Sequence, residues 1–424
     1  MHENGAVPAP NTDTSAPNAV DGFTALLTDE GRRLLEELRD HDPARELAVA
    51  TRLRREHPAE LVSAALGQAR LRQRAVAKFG TEDAYRMYFT PNGVEQATRT
   101  SVATYRARRF ADLGVRRLAD LCCGVGGDAI ALARAGVSVL AVDRDPLTCA
   151  VARANAAALG LSDLIEVRCA DVAEVDVSGY DAVFVDPARR GASRGAARSA
   201  SGRGGGRATG GRIFDPEAYS PPLSWAVETA RTAPHAALKI APGVPHEAVP
   251  EEAEAEWISD GGDVKEAVLW FGTDPGARRA TLLPAGTTLT GTGLPDPAVR
   301  PVGRYLYEPD GAVIRAHLVA DVAAEVSGGL IDETIAYITS DELRPTPHAS
   351  AYEITDVLPF NLKKLKALVR ERGIGVAVIK KRGSAVEPEE LRKKLKLEGV
   401  NSCVIILTRV AGAPTMLLGQ AVRA

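Results

Sequence analysis

The sequence has little cysteine, little charge imbalance and no long apolar run, and each shortage removes a class of function. Its 424 residues hold five cysteines, Cys122, Cys123, Cys149, Cys169 and Cys403. No pair is spaced as C-x-x-C, which argues against a zinc site and leaves no expected metal ligand. An odd, scattered set in segments that read as buried strands and helices points to reduced thiols and a cytoplasmic location. No run approaches the ~18 apolar residues of a membrane span. The first residues, MHENGAVPAPNTDTSAPNAV, lack the basic-then-apolar order of a secretion signal. Net charge is −3 with a pI of about 6.2, which rules out a globally basic nucleic-acid binder but permits a local basic face.

What is present suggests two or three domains, and 45% hydrophobic residues are enough for real cores. Residues 1–21 are Pro, Ala, Asn and Thr without periodicity, the pattern of a disordered tail. Residues 22–112 carry leucines at helical spacing, among them Leu26, Leu27, Leu34, Leu35 and Leu38, interleaved with arginines such as Arg52, Arg70 and Arg72. The arginines fit either a substrate-gripping helical cap or the solvated faces of amphipathic helices. Residues 85–98, YRMYFTPNGVEQAT, are aromatic-rich and break at a Thr-Pro-Asn-Gly turn.

The chain is organised around Leu118 to Asp145, LADLCCGVGGDAIALARAGVSVLAVDRD. It reads as strand, glycine turn, helix, strand, acid: a parallel βαβ unit whose right-handed crossover brings both strand ends to one edge. Gly124, Gly126 and Gly127 let a ligand approach the backbone. Asp143, 19 residues after Gly124, closes the second strand where an acid accepts ribose hydroxyls. Further strands over Ile165–Cys169, Tyr180–Val185, Ala236–Ala241, Val264–Phe271 and Arg279–Leu283, with helices over Pro146–Leu159 and Pro222–Arg231, predict a doubly wound α/β sheet with its site at the carboxyl edge.

GVGGDA fits the loose nicotinamide fingerprint G-x-G-x-x-A, which keeps an oxidoreductase as a distant alternative. Three features point elsewhere. Asp120, two residues before the turn, is placed to meet an amino-acid ammonium. Asp171 ends the third strand segment, where it can face an adenine amino group. Asp186-Pro187 ends the fourth strand. Taken together, Asp120, Gly124, Gly126, Asp143, Asp171 and Asp186-Pro187 resemble, in order and spacing, the successive motifs of class I S-adenosylmethionine-dependent methyltransferases. Cys122 stands where that family's turn usually has its first glycine. The resemblance implies a Rossmann-like seven-stranded sheet over residues 113–290. It implies S-adenosyl-L-methionine held by Asp120, Cys122, Gly124, Gly126, Asp143 and Asp171. Polar residues Glu95, Gln96 and Thr98 would then close over the methionine end, or simply begin an ordinary helix.

Asp186-Pro187-Ala188-Arg189-Arg190-Gly191 lies where this class places its methyl acceptor. Amine methyltransferases use an Asp/Asn-Pro-Pro-aromatic motif there; here Arg189 replaces the aromatic and can stack on a base or hold a phosphate. The expected acceptor residues are therefore Asp186, Pro187 and Arg189. DPARRGA is also similar to a motif of RNA 5-methyluridine methyltransferases, but their cysteine nucleophile is missing from Lys239-Ile240-Ala241-Pro242-Gly243. DLCCGVGGDAIALA resembles the trimethylguanosine synthase group, whose Pro-Pro-Trp is not matched. Residues 191–212, with Arg194, Arg198, Arg203, Arg207 and Arg212, read as an Arg/Gly insertion that tracks phosphates or is a neutral loop.

Residues 295–345 resemble the small ferredoxin-like module, and 350–424 the THUMP-like domain, found behind some bacterial methyltransferases. The latter segment holds 14 Lys and Arg against 7 Asp and Glu, so it is +7 while the remainder is −10. The expectation is an enzyme that methylates a base nitrogen in RNA, with the basic domain binding RNA electrostatically. The alternatives are a small-molecule or protein methyltransferase, and a non-catalytic RNA-binding protein that keeps the fold.

Overall fold

The structure, a computed structural model, describes residues 15–188 and 216–422. It divides into two compact units, Met1–Leu238 and Lys239–Ala424. The first begins with helices α1 (Ser15–Leu26), α2 (Asp29–Glu37), α3 (Glu46–Leu53), α4 (Ala59–Arg86, broken at Gly80), α5 (Pro91–Gln96) and α6 (Thr100–Asp112). Their leucine stripe makes a core: Leu34, Leu35, Leu38, Leu53 and Leu61 are buried, and α1, α2 and α3 pack on α4. Several of the intervening arginines pair with acids, whereas Arg72 is buried. Arg52 meets Glu37 at 2.5 Å, Arg74 meets Glu95 at 3.5 Å, and Arg70 pairs with Glu46. This is the pattern of solvated helix faces, each pair contributing little.

The rest of the first unit alternates as the periodicity predicts: β1 (Arg117–Leu121), α7 (Gly127–Arg134), β2 (Ser138–Asp143), α8 (Pro146–Ala158), β3 (Ile165–Cys169), β4 (Ala182–Val185), α9 (Leu223–Ala230) and β5 (His235–Ile240). The strands are parallel in the order β3-β2-β1-β4-β5. The short apolar runs of β1, β2 and β4 are buried on both faces, as parallel strands with helical cover require. The order reverses between β1 and β4, which makes that point of the carboxyl edge the ligand crevice of a doubly wound sheet.

In the second unit, β6 (Glu254–Asp260), β7 (Asp263–Phe271), β8 (Arg278–Leu283) and β9 (Thr287–Thr290) lie in the order β7-β6-β8-β9. β7 and β8 are the strands expected from sequence. β6 is not, because its acids read as surface residues. Glu256 is in fact fully buried, accepting from Trp270 Nε1 (2.8 Å) and Thr281 Oγ1 (2.6 Å), and buried Glu254 meets Arg279 at 3.2 Å. Paired in this way, acids are tolerated in a core.

Then follow β10 (Tyr305–Pro309), α10 (Gly311–Arg315), α11 (Val319–Glu325), β11 (Gly329–Asp332), β12 (Ile335–Ser340), β13 (Ala349–Pro359), α12 (Leu362–Glu371), β14 (Ile374–Lys381), α13 (Pro388–Leu395), β15 (Asn401–Val410) and β16 (Ala413–Ala421). The segments 295–345 and 350–424 contribute to a single seven-stranded sheet, β11-β12-β10-β13-β16-β15-β14, joined where β10 runs antiparallel to β13. α10 and α11 are parted at His317, whose backbone is left-handed (φ 59°). Leu365 and Val369 of α12, with Leu391 and Leu395 of α13, pack into one core cluster with Ile374, Ala377, Ile405 and Leu418 of the sheet. That leaves Lys363, Lys364, Lys366, Lys393 and Lys394 on the outer side of the helices. Among the described residues no helix is long and apolar enough to cross a membrane.

Candidate active site

Three parallel strands deliver acids to one edge of the first unit's sheet. Asp120 lies at the end of β1, Asp143 ends β2, and Asp186 follows β4 directly, its N–H donating to Leu121 O (3.3 Å). Asp120 is only 1% exposed, and neither of its carboxylate oxygens has a hydrogen-bond partner among the described residues. Burial pushes its pKa well above the usual carboxylate range. The charges of Asp128, Asp186 and Asp143 push the same way, and Arg106 opposes them. A buried carboxylate without donors is costly. The position fits a cationic ligand group, such as the ammonium of an amino-acid moiety.

The turn between β1 and α7 is built on left-handed backbone at Cys122 (φ 70°), Gly124 (φ 56°) and Gly126 (φ 85°). Glycine adopts this conformation freely; a side chain there costs about 1–2 kcal/mol, which Cys122 bears. Burial, then the charges of Asp143, Asp186 and Asp120, raise the Cys122 thiol pKa, so it is a neutral thiol and a poor nucleophile. Asp143 pins the turn. Its Oδ2 accepts the Gly124 N–H (3.1 Å) and its Oδ1 the Asp145 N–H (3.0 Å). Burial raises its pKa while these backbone donors hold it down. Each oxygen keeps a second lone pair, enough acceptor capacity for two hydroxyls. Asp171 lies just beyond β3, exposed, with Oδ1 accepting the Ala173 N–H (3.0 Å). Asp120, Cys122, Gly124, Gly126, Asp143, Asp171, Asp186 and Pro187 thus all belong to the carboxyl edge of β1 to β4. Arg189 and the 191–212 insertion lie outside the described residues.

The aromatic segment ahead of the sheet is fastened to the glycine turn. Arg72 Nε donates to Met87 O (2.9 Å). Asn155, fully buried on α8, accepts from Tyr88 N–H (2.6 Å) and donates to both Tyr88 O (3.0 Å) and Val125 O (2.9 Å). Gln68, with its amide oriented to satisfy both groups, meets Phe89 N–H (2.8 Å) and C=O (3.1 Å). Thr90 caps α5, and Gly93 approaches Val125 so closely that a Cβ there would lie 2.4 Å from Val125 Cγ1. Glu95, expected near the cofactor, is engaged by Arg74, and Thr98 is buried.

Sequence reasoning missed this strap and missed Arg106. Arg106 on α6 is 1% exposed, bonds Asp128 Oδ1 through Nε (3.0 Å) and places its guanidinium 4.5 Å from the Phe184 ring. It is the cation that acts on Asp120. A signal existed: Arg106 occupies the apolar stripe of Val102, Ala103, Ala107 and Phe110, where a solvated arginine does not belong. Among the described residues no three His, Cys, Asp or Glu side chains group as a metal site.

A parallel sheet of this order, with an orphaned acid beside a glycine turn and a second acid at the next strand end, is a nucleoside-cofactor site of the methyltransferase type. The family model for RNA cap guanine-N2 methyltransferase matches residues 115–197. That for a THUMP domain-like region matches 349–421, and one described only as a domain of unknown function matches 19–75. Two S-adenosylmethionine-dependent methyltransferases of Mycobacterium tuberculosis, from strains H37Rv and CDC 1551, are each 34% identical over 354 residues, 80% of this chain and 90% of theirs. A 23S rRNA (uracil(1939)-C(5))-methyltransferase of Shewanella amazonensis is 41% identical over 81 residues, 18% of each chain. In fold, a crystal structure described as a methyltransferase from Porphyromonas gingivalis W83 matches 96% of this chain and 99% of its own, with TM-score 0.73 and 20% identity. The chain belongs to the S-adenosylmethionine-dependent methyltransferase family, and its cofactor is S-adenosyl-L-methionine.

Proposed function

We propose that the protein methylates a nitrogen of an RNA base, in the cytoplasm. The observation that carries this reading is the match to an RNA cap guanine-N2 methyltransferase model over 115–197, the stretch holding every residue from Asp120 to Asp186-Pro187. The THUMP-like match and the outward-facing lysines of α12 and α13 support an RNA partner, because basic surface binds phosphate electrostatically. Five free cysteines support a reducing compartment.

When bound, S-adenosylmethionine supplies an electrophilic methyl group on a sulfonium centre. Asp120 would neutralise the ammonium and Asp143 would take the ribose hydroxyls. Asp171 would face the adenine amino group, and the backbone of Cys122, Gly124 and Gly126 would lie against the cofactor. Asp186 and the Pro187 carbonyl would accept hydrogen bonds from an exocyclic amine, aiming its lone pair at the methyl carbon. The amine is oriented rather than deprotonated beforehand, so positioning is the main contribution of these residues. Arg189 would stack on the base or hold a phosphate. Nitrogen is preferred to uracil C5 because the end of β5 and the turn after it, Lys239 to Gly243, have no thiol, and Cys122 is neutral.

The test offers tritiated-methyl S-adenosylmethionine with total RNA, a protein extract or a metabolite extract. The expected label is an N-methylated base in RNA. Asp186→Ala should lower transfer about a hundredfold with S-adenosylhomocysteine affinity unchanged. Label confined to protein or metabolites would replace RNA as the substrate class. No label in any fraction would leave a non-catalytic RNA-binding protein.

A further inference from the structure

The second unit carries an open groove of about 580 Å³, within the volume range of small-ligand sites. It is walled by the loop after β5, by α10 and the residues that follow it, and by Arg382 after β14. Its polar lining is His246, His317, Arg315 and Arg382, its apolar lining includes Pro242 and Ile314, and none of its lining residues is acidic. In a chain with net charge −3, this wall carries only cationic and imidazole groups.

Two features show a built surface. Trp257, His246 and His317 form a three-ring stack: centroids are 4.9 Å apart with planes at 20° for the first pair, and 3.7 Å apart at 24° for the second. Two of the rings are anchored, Trp257 Nε1 donating to Pro242 O (3.1 Å) and a His246 ring nitrogen bonding Arg315 O (2.9 Å). His317 ends the stack, exposed, on the left-handed backbone that parts α10 from α11. A residue with a Cβ held in that region is strained, and such strain clusters at functional sites. Partial burial holds both imidazoles below the usual histidine range, joined at His246 by His317 and at both by Arg278, so at neutral pH they present uncharged rings. Glu247 and Asp296 are the acids that act on them. Arg382 lies over the Tyr337 ring at 5.2 Å, and Glu308 sits 3.8 Å from it.

Ring faces beside guanidinium groups are the recurring means of holding single-stranded nucleic acid, base on ring and phosphate on arginine. We propose that this groove binds one nucleotide of a single-stranded RNA segment, its base stacked on His317 and its phosphate held by Arg315 and Arg382. The inference rests on the RNA reading above and assigns that substrate a contact on the second unit, made by residues other than the acceptor set.

The test uses the full chain and a fluorescein-labelled single-stranded RNA of mixed sequence, with inorganic polyphosphate as a base-free probe. Arg315→Ala should weaken both probes. His317→Asn, which keeps a residue tolerant of left-handed backbone, should weaken RNA about tenfold and leave polyphosphate unchanged. S-adenosylhomocysteine affinity should stay at the wild-type level in both variants, reporting an intact first unit. Wild-type RNA affinity in both variants would overturn the groove and leave the RNA reading standing. Equal loss of RNA and polyphosphate in His317→Asn would overturn base stacking in favour of a bare anion site. No RNA binding by the wild type would remove both readings.

Discussion

Asp120 in the first unit and Asp332 in the second are both buried aspartates at the ends of short strands, 1% and 4% exposed. Their surroundings treat them oppositely. Asp332 accepts from the Thr334 N–H (2.9 Å), the Thr334 hydroxyl (2.7 Å) and the Gly412 N–H (2.7 Å), and these donors hold its pKa below the usual range. Asp120 receives none and is pushed well above it. The fold satisfies the acid that ties β11 to the β15–β16 turn and leaves without donors the acid proposed above to meet the cofactor's ammonium. On the function proposed above, an unpaired buried carboxylate marks the site better than burial or charge alone.

The largest effect expected from this contrast is at Asp120. Asp120→Asn should weaken S-adenosylhomocysteine binding at least about a hundredfold, ~3 kcal/mol, by isothermal titration. The ligand-free variant should melt higher than wild type at neutral pH. The sign follows from the raised pKa: the folded state keeps a proton that the unfolded chain releases above about pH 3.9, so the stability of the free protein falls as pH rises through that window. Undiminished binding would break the comparison.

Next in size is Asn155, which joins the aromatic strap to the glycine turn. Asn155→Ala leaves the Tyr88 and Val125 backbone groups buried without it and should cost about 2–4 kcal/mol in denaturant unfolding. Unchanged stability would mean that the turn holds its shape without the strap. Asp332→Asn should then destabilise by about 1–2 kcal/mol at neutral pH. Here the pKa is depressed, so the contribution is present above the unfolded value near 3.9 and fades as pH falls below it. Parallel melts of the two Asp→Asn variants should move in opposite directions at pH 7. The smallest effect lies on the helical face of the THUMP-like region. Lys363→Ala with Lys364→Ala should weaken single-stranded RNA a few-fold and flatten the salt dependence by about 0.7 in log–log slope for each phosphate these lysines neutralise. An unchanged slope would assign them to solvent.

Much of the first unit was legible because its information is local. Strand, glycine turn, helix and acid from Leu118 to Asp143 follow one another within a single βαβ unit, so spacing alone places Asp120, Gly124, Gly126 and Asp143 along one edge. β6 was illegible because Glu254 and Glu256 look solvated until Arg279, Trp270 and Thr281 are brought to them. Arg106 was hidden for the same reason: its partner Asp128 lies on another helix. The ring stack joins His246 to His317, and nothing near either residue announces the other.

By itself the sequence determined the class of fold, the glycine turn between β1 and α7 and the charge asymmetry between catalytic and C-terminal regions. Those depend on side-chain period, on the right-handed crossover and on composition, which act over neighbouring residues. Only the tertiary structure decided that Asp120 is orphaned, that Asn155 clamps the strap, that 295–345 and 350–424 share one sheet, and that two histidines stack beside two arginines. Each of these depends on which distant groups desolvate one another, and the free energy of a buried polar group is set by the partners that packing brings to it.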